Sequence, residues 1–361
     1  MNVAIIGCGV VGAAIAYELS QVPGIKITVF DRQPPAQAST GAALGVLVGI
    51  ISQKVKGKAW QMRQTSVQRY ETLIPELEAI TGRTIPFNRQ GILSLCLEAE
   101  NSELWEKLVA IRHSQGWELE IWDTAKLQQI CPQVNHPQVT GAVYSPQDRQ
   151  LDPTALTLAL VEAAQHHGVT FQFGVTVLSL PTTAATKCTS VETTAGKITA
   201  DWIIISAGLG STALTAQLEQ KIDIRPVLGQ ALQLRLGHLQ GNPDFQPAIT
   251  GNDVHIVPIG GGDYWIGATV EFPSNGDEIL PNHELLASVK QQAISFCPEL
   301  ASAEIIRTWS GLRPRPEGRP APVIGELPGF SNILLATGHY RNGVLLAPAT
   351  AMAIREKIIS Q

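Results

Sequence analysis

Near the N-terminus, a glycine-rich segment lies between two apolar stretches, and it constrains the fold more than any other feature. Residues 2–6 are almost all apolar, which is typical of a parallel strand covered on both faces. They lead directly into GCGVVG at residues 7–12, then into a helix-forming stretch and a second apolar stretch at residues 25–30. This order of strand, glycine turn, helix and strand predicts a nucleotide-binding unit.

Each glycine of this motif has its own physical role in binding a dinucleotide. Gly7 permits a tight turn, Gly9 lets the backbone approach a pyrophosphate, and Gly12 lets the helix pack closely on the strand. The N-terminus of the following helix then supplies oriented N–H groups to the phosphates, and Val10 and Val11 lie within the turn that leads into it. These five residues are therefore candidate cofactor contacts.

A carboxylate, Asp31, ends the second predicted strand, about 20 positions beyond the last glycine, where it can bind the adenosine ribose. Its charge disfavours the 2′-phosphate of NADP, and Arg32 beside it is a further candidate contact. The motif alone does not choose between NAD and FAD. In STGAALGV, residues 39–46, small side chains permit close approach to an extended cofactor, and Ser39 and Thr40 offer hydroxyls to phosphates.

Composition and charge exclude several other classes of protein. The 361 residues, 44% of them hydrophobic and 16% charged, can bury a substantial core. A net charge of -5 and a pI near 5.9 argue against nucleic-acid binding. Five cysteines without CxxC spacing favour neither a disulfide framework nor a zinc site, and they indicate a reducing, cytoplasmic setting. The apolar stretch 42–51 is too short to span a bilayer, so we expect no integral membrane segment.

Two later apolar segments predict that the nucleotide sheet is completed far along the chain. WIIISAG, residues 202–208, is typical of a buried parallel strand ending in a small-residue turn, which makes Ala207 and Gly208 candidate cofactor contacts. A further apolar strand is centred near Leu334, and Val177 lies on a strand near the first segment. Strands between residues 232 and 270, separated by glycine-rich turns, predict an antiparallel sheet, whereas residues 310–328 predict a loop.

The predicted fold class is α/β (α+β overall), with a Rossmann-type parallel sheet and an inserted domain built on an antiparallel sheet. The predicted domains are discontinuous. Residues 1–85, 146–215 and 308–361 form the FAD-binding domain, and residues 86–145 and 216–307 form the substrate-binding domain.

Motifs along the whole chain resemble the glycine oxidase and D-amino-acid oxidase family of FAD-dependent oxidoreductases. They are GCGVVG with Asp31, STGAALGVL, IISAGLGS at 204–211, HIVP at 255–258, IGAT at 266–269, WSGLRP at 309–314 and GHYRNGVLLAP at 338–348. The last two are the most specific pair and point nearest to glycine oxidase.

This resemblance implies FAD bound in an extended form, with its adenine end near residues 7–31 and Val177. It places the flavin ring near two groups of residues, which are Leu44, Gly45 and Val46, and His339, Tyr340, Arg341, Asn342, Gly343, Val344 and Leu345. It also implies an α-amino acid or small amine as substrate, with a carboxylate bound by Arg313 and Arg341. Glycine oxidases usually carry tyrosine where HIVP has His255, so the substrate depends most on this residue.

The implied chemistry needs positioning more than protein acid or base groups. Hydride transfer from Cα to flavin N5 uses the cofactor's own ring, so no catalytic side chain is assigned. An arginine fork binds a carboxylate bidentately and stays charged. Three roles are open for His255, which are influence on the protonation of the amine, a hydrogen bond to it, and narrowing of the pocket.

The leading prediction is an oxidase of glycine or another small amino acid or amine, whose imine product hydrolyses while O2 becomes H2O2. One alternative is a D-amino-acid dehydrogenase that passes electrons to a quinone or another carrier. A second is a non-catalytic dinucleotide-binding protein. The sequence leaves open whether the protein forms a homo-oligomer.

Overall fold

A six-stranded sheet contains the N-terminal motif. The computed structural model describes residues 1–97, 102–184, 186–273 and 279–360. In spatial order the strands of this sheet are Val323–Glu326, Ile333–Thr337, Trp202–Ile205, Asn2–Ile6, Lys26–Asp31 and Thr170–Phe173. All neighbours are parallel except the first pair. Ile5 pairs with Ile204, which pairs with Leu334, so the prediction that distant segments complete this sheet is confirmed.

Four helices share one apolar core with this sheet, and they are Val10–Ser20, Gly57–Thr81, Pro153–His166 and Gly343–Ile359. The third begins where the sequence supplies a cap. The Asp152 carboxylate accepts bonds of 2.8 and 3.0 Å from the N–H groups of Thr154 and Ala155, with Pro153 in the first turn. The helices bury the apolar residues of the sheet, as a parallel sheet requires.

An eight-stranded sheet forms the second half of the architecture. Its strands, in spatial order, are Glu304–Pro316, Ile224–Arg235, Asp263–Gly267, Val254–Gly260, Ala248–Gly251, Ile92–Leu97, Val139–Ser145 and Glu120–Asp123. Neighbours are antiparallel except Ala248–Gly251 beside Ile92–Leu97. The helix His283–Phe296 packs on this sheet through Ala293 and Phe296.

The prediction of a loop over residues 310–328 is wrong for residues 310–316 and for Val323–Glu326, which is a strand paired with Ile333–Thr337. Residues 304–316 form one strand that pairs along its length with Ile224–Arg235. Prolines are tolerated there because this is an edge strand of the sheet. Gly311 is needed because a Cβ at this position would lie 2.3 Å from the Ala42 Cβ. The predicted domain division at residue 308 falls inside this strand, and the division stays a prediction.

Smaller elements complete the chain. Short strands form three further sheets, which are Val46–Leu47, Arg149–Leu151 and Phe87–Asn88; Val177–Ser179, Ser190–Thr193 and Gly196–Thr199; and Thr182–Ala184 with Lys187–Cys188. The remaining helices are Ser102–Ser114, Thr124–Ile130 and Ser211–Ala216, and the 3-10 turns are Gly208–Gly210, Pro298–Ser302 and Tyr340–Asn342. Within the described ranges, no helix has the length and apolarity needed to cross a membrane.

Candidate active site

A cavity of about 740 Å³ is lined by residues of both large sheets. Its volume lies within the range of about 300–1,000 Å³ typical of ligand sites. Ile6, Ser206 and Thr337, at the carboxyl ends of three parallel strands or just beyond them, form part of its wall. Ligands of open α/β sheets bind at such strand ends, so the topology itself selects this position.

The glycine motif lies on this wall in a conformation that other residues would disturb. Gly7 has a φ of +103°, and a Cβ there would lie 2.5 Å from the Ser206 carbonyl oxygen. A Cβ at Gly12 would lie 1.9 Å from the Gly7 carbonyl oxygen. The helix begins at Val10, whose N–H group donates to Thr40 Oγ1 over 3.1 Å. The turn therefore has the close packing that its sequence predicts.

The carboxylate of Asp31 is fixed beside this turn. Its two oxygens accept bonds of 2.6 Å from the Cys8 N–H and 2.9 Å from the Gln33 N–H. A carboxylate can accept about four bonds, so capacity remains for a ligand hydroxyl. The Ser39 hydroxyl instead donates to the Leu312 carbonyl over 2.6 Å, so its proton links two chain segments and is not free for the phosphate contact expected from the sequence.

Most of the predicted cofactor contacts lie on the cavity wall. They are Gly7, Gly9, Val10, Val11, Asp31, Arg32, Ser39, Thr40, Leu44, Gly45, Val46, Val177, Ala207, Gly208, His339, Tyr340, Arg341, Gly343, Val344 and Leu345. Gly12 packs against Gly7 behind the wall, and Asn342 precedes the helix Gly343–Ile359 without lining the cavity. Direct contact of these residues with a cofactor stays a prediction.

The far end of the cavity is formed where the strand Ile333–Thr337 turns into the last helix. Gly338 and Tyr340 adopt φ values of +66° and +53°, which bend the backbone sharply. Gly343, Val344 and Leu345, the first residues of the helix, line the cavity. The N-terminal end of a helix carries partial positive charge and free N–H donors, so it suits the negative charge that a reduced flavin acquires.

His339 is buried at this turn, with its Nε2 atom 3.0 Å from Thr350 Oγ1. Burial lowers its pKa from 6.5 to about 4. Because the folded protein holds the neutral form, the unfolded chain binds more protons between these values. The free energy of unfolding should therefore fall, by about 1.4 kcal/mol per pH unit for this group, as the pH drops from 6.5 toward 4.

His339→Gln removes this contribution while keeping a partner for Thr350. We expect its free energy of unfolding, measured by urea denaturation of the FAD-loaded protein, to fall less steeply with acidification than that of the wild type. The exposed His166, changed to Gln in the same way, is the control and should keep the wild-type slope. Equal slopes for all three proteins would contradict the assignment.

Arg313 lies on the strand Glu304–Pro316 and faces the cavity. Its Nη1 atom donates to two backbone carbonyls, Leu228 at 3.1 Å and Thr269 at 3.0 Å. Burial, reinforced by the nearby charge of Arg341, lowers its pKa. No carboxylate lies within ion-pair distance of it among residues 1–97, 102–184, 186–273 and 279–360. Glu271 acts on this charge from a greater distance and favours the charged form. A partly buried cation without an ion-pair partner is costly, so this site favours an anionic ligand.

Gly229 on the neighbouring strand makes room for the Arg313 side chain. A Cβ at Gly229 would lie 2.3 Å from both Nη atoms of Arg313 and 2.4 Å from its Cζ. The guanidinium therefore lies directly over the glycine backbone. The sequence shows no motif at Gly229, and only the small-residue alternation with Ala231, which also lines the cavity, hints at its role.

Gly229→Ala should displace the guanidinium from the Leu228 and Thr269 carbonyls. We expect FAD to be retained and KM for the amino-acid substrate to rise about tenfold or more, as expected for a weakened charged hydrogen bond of 1.5–3 kcal/mol, roughly. Gly210→Ala is the matched control elsewhere on the same cavity, since a Cβ there meets only the Ala207 Cβ at 3.5 Å. An unchanged KM in Gly229→Ala would refute this role for the glycine.

His255 and Arg341 occupy different environments on the same cavity. The His255 Nδ1 atom is buried and has no hydrogen-bond partner within the described part of the chain. Burial lowers the pKa of His255 to about 4; Asp253 opposes this shift, and Arg341 and Arg313 reinforce it. The ring is therefore neutral at physiological pH. Arg341 is 39% exposed, and its Nη1 atom lies 3.4 Å from Asp253 Oδ1.

Several cavity residues on the eight-stranded sheet carry no sequence motif. Besides Gly229 and Ala231, they include Asp253 and Val270. Their positions depend on strand pairing; His255, for example, pairs with Gly267, whose missing side chain leaves space for Leu44. The HIVP and IGAT resemblances pointed to this part of the sheet but not to these residues.

Together the parallel sheet, the glycine turn and the cavity beside the second sheet define the class of dinucleotide-binding proteins. The residues fit FAD, because the turn admits no Cβ at Gly7 or Gly12 and an unpartnered polar atom, His255 Nδ1, lies at the other end. The family model described as DAO, FAD dependent oxidoreductase, matches residues 2–357. The chain belongs to this family, and its cofactor is FAD.

Known relatives and solved structures agree with this assignment. The bifunctional protein ThiO/ThiG of Trichormus variabilis is 32% identical over the whole chain, and the chain covers 53% of that protein. The chain thus spans about half the length of such relatives. A glycine oxidase of Bacillus licheniformis is 30% identical over 98% of the chain and 92% of its own length. The crystal structure of glycine oxidase from Geobacillus kaustophilus superposes with a TM-score of 0.89 at 26% identity, covering 99% of this chain and 94% of that one.

Proposed function

We propose that the chain oxidises glycine or another small amino acid or amine, with the substrate carboxylate bound by Arg313. The partly buried guanidinium of Arg313 supports this most directly, since it donates to backbone carbonyls and has no carboxylate within ion-pair distance in the described structure. Its position on a cavity that also contains the FAD motif suits a carboxylate held beside the cofactor. Bidentate binding would fix the orientation of the substrate Cα.

FAD supplies the two-electron acceptor for this reaction. The chain's own residues bind and orient the substrate around it. The neutral ring of His255 directs no positive charge at the amine, so it suits a hydrogen bond to a neutral amine better than control of its protonation. Leu44, Ala231 and Val270 are apolar residues of the cavity wall. They exclude water from the cavity, which strengthens the carboxylate–arginine pair.

The proposed product is an imino acid, formed when the amine-bearing carbon loses a hydride and the nitrogen loses a proton. Hydrolysis then releases the 2-oxo acid together with ammonia from a primary amine, or with the substituted amine from a secondary one. In the oxidase reaction, O2 takes up two electrons and two protons to become H2O2. A dehydrogenase would pass the same electrons to a quinone or carrier. Membership of an oxidoreductase family sets aside the non-catalytic alternative, and we propose a cytoplasmic setting from the cysteine pattern.

Anaerobic mixing tests this proposal. The purified FAD-loaded protein is mixed with glycine, sarcosine, D- and L-alanine and D-proline, and the flavin absorbance is recorded. We expect at least one of these to bleach the flavin. If none does, the proposed amino-acid oxidation is wrong. Readmission of air then separates the two acceptors, since an oxidase recovers its colour with stoichiometric H2O2 and a dehydrogenase requires an artificial acceptor.

A further inference from the structure

A carboxylate of the chain itself faces Arg341 at the exposed end of the cavity. Asp253 lies on the turn between the strands Ala248–Gly251 and Val254–Gly260, with φ values of +48° at Asn252 and +63° at Asp253. Its Oδ1 atom is 3.4 Å from Arg341 Nη1, and both residues line the cavity. The Asp253 side chain is 76% exposed, so solvent weakens this ion pair. Arg341 therefore has a carboxylate partner while it remains accessible to solvent.

The charges of the site are therefore divided unequally. Arg313 is partly buried and has no ion-pair partner in the described ranges, whereas Arg341 already has one. All three charges act on His255: Asp253 raises its pKa, and the two arginines lower it. With His255 neutral, Arg313 is the charge at this end of the cavity that has no ion-pair partner in the described ranges. The Glu271 carboxylate acts on Arg313 from beyond ion-pair distance and is itself bonded to Gln230, Thr269 and the Asn282 N–H. One arginine with a free charge and one already paired suit a ligand with one acidic group.

We infer that Asp253 is a specificity-determining residue that favours substrates with one acidic group over substrates with two. A ligand whose first carboxylate binds Arg313 would bring a second acidic group toward Arg341. There it would meet the negative charge of Asp253 and would have to displace it. Like charges in contact are a general means of rejecting a wrong ligand. The inference rests on the proposed carboxylate site at Arg313, although it does not require turnover.

Asp253→Asn is the variant that isolates this charge. Asparagine has nearly the same shape and adopts positive φ as readily as aspartate, so the turn is preserved. Arg341 then lacks its partner and becomes available to a second acidic group. Asp244→Asn is the matched control, because it removes the same charge from an exposed loop residue that does not line the cavity.

Two ligands without an oxidisable amine provide the test. Methoxyacetate and oxydiacetate resemble each other, but only the second carries two carboxylates. Their dissociation constants are measured by calorimetry on the FAD-loaded wild type, on Asp253→Asn and on Asp244→Asn. We expect the preference for oxydiacetate over methoxyacetate to increase at least tenfold in Asp253→Asn and to stay unchanged in Asp244→Asn. The double variant Asp253→Asn/Arg341→Gln should lose the gain.

Three outcomes would overturn the inference. They are an unchanged preference in Asp253→Asn, a gain that persists when Arg341 is also removed, and failure of either ligand to bind any of the proteins. The outcome is separable from that of the proposed function. If the preference shifts but no amino acid bleaches the flavin, the selectivity stands and the reaction fails; if glycine bleaches the flavin and the preference does not move, only the selectivity fails.

Discussion

Replacing Arg313 with lysine is expected to leave FAD bound and to lower kcat/KM for the amino-acid substrate about 100-fold, equivalent to about 3 kcal/mol. The physical reason is geometric as well as electrostatic. The guanidinium reaches the Leu228 and Thr269 carbonyls with one nitrogen and leaves the others for a carboxylate. A lysine ammonium is a single charged point, so it cannot make both sets of contacts.

Steady-state kinetics and a carboxylate inhibitor together check this prediction. Weaker inhibition, in parallel with the loss of kcat/KM, would locate the defect in carboxylate binding. Arg315→Lys is the matched control on the same strand, because Arg315 pairs with Glu317 at 3.2 Å and does not line the cavity. Retention of wild-type affinity for substrate and inhibitor in Arg313→Lys would show that the carboxylate binds elsewhere.

Gly12→Ala is expected to yield protein that does not retain FAD. A Cβ at this position would lie 1.9 Å from the Gly7 carbonyl and 2.7 Å from Ser206 Oγ, so the helix Val10–Ser20 must move away from the turn. An inserted methyl group commonly costs 1–3 kcal/mol, roughly, and the contact here is with backbone that cannot rotate aside. A cost of about 3 kcal/mol corresponds to more than a hundredfold loss of FAD affinity.

The measurement is the ratio of flavin to protein absorbance after gel filtration, followed by titration with FAD. Circular dichroism confirms that the variant is folded, which separates loss of the cofactor from loss of the protein. Gly210→Ala serves again as control and should keep its FAD, since the added methyl finds space. Tight FAD binding by Gly12→Ala would mean that the turn is not the phosphate site.

The nucleotide-binding unit could be predicted because its physical requirements are local. Gly7, Gly12 and Asp31 belong to one continuous strand–turn–helix–strand segment, so their spacing alone specifies how they meet. The continuous apolar segments near Ile203 and Leu334 could also be predicted as buried strands, because a strand buried on both faces has no polar alternation. The spatial order of these strands follows from the fold alone.

The strand Glu304–Pro316 shows why other parts could not be predicted. Its glycines and prolines favour a loop when the segment is considered alone. The pairing partner that makes it a strand is Ile224–Arg235, about 80 residues earlier in the chain. Tertiary pairing thus overrides local preference, and it moves Arg313 from an expected loop onto a rigid element of the sheet.

By itself, the sequence determined the class of fold and predicted which residues contact the dinucleotide, because these depend on short patterns of backbone shape and side-chain size. Only the tertiary structure decided which charged and polar groups of the cavity have a partner and which do not. It placed Gly229 beneath Arg313, gave Arg341 a partner in Asp253 and buried His255 Nδ1 without one. Each of these contacts joins residues from different strands or turns, and no spacing along the chain encodes which of them will meet.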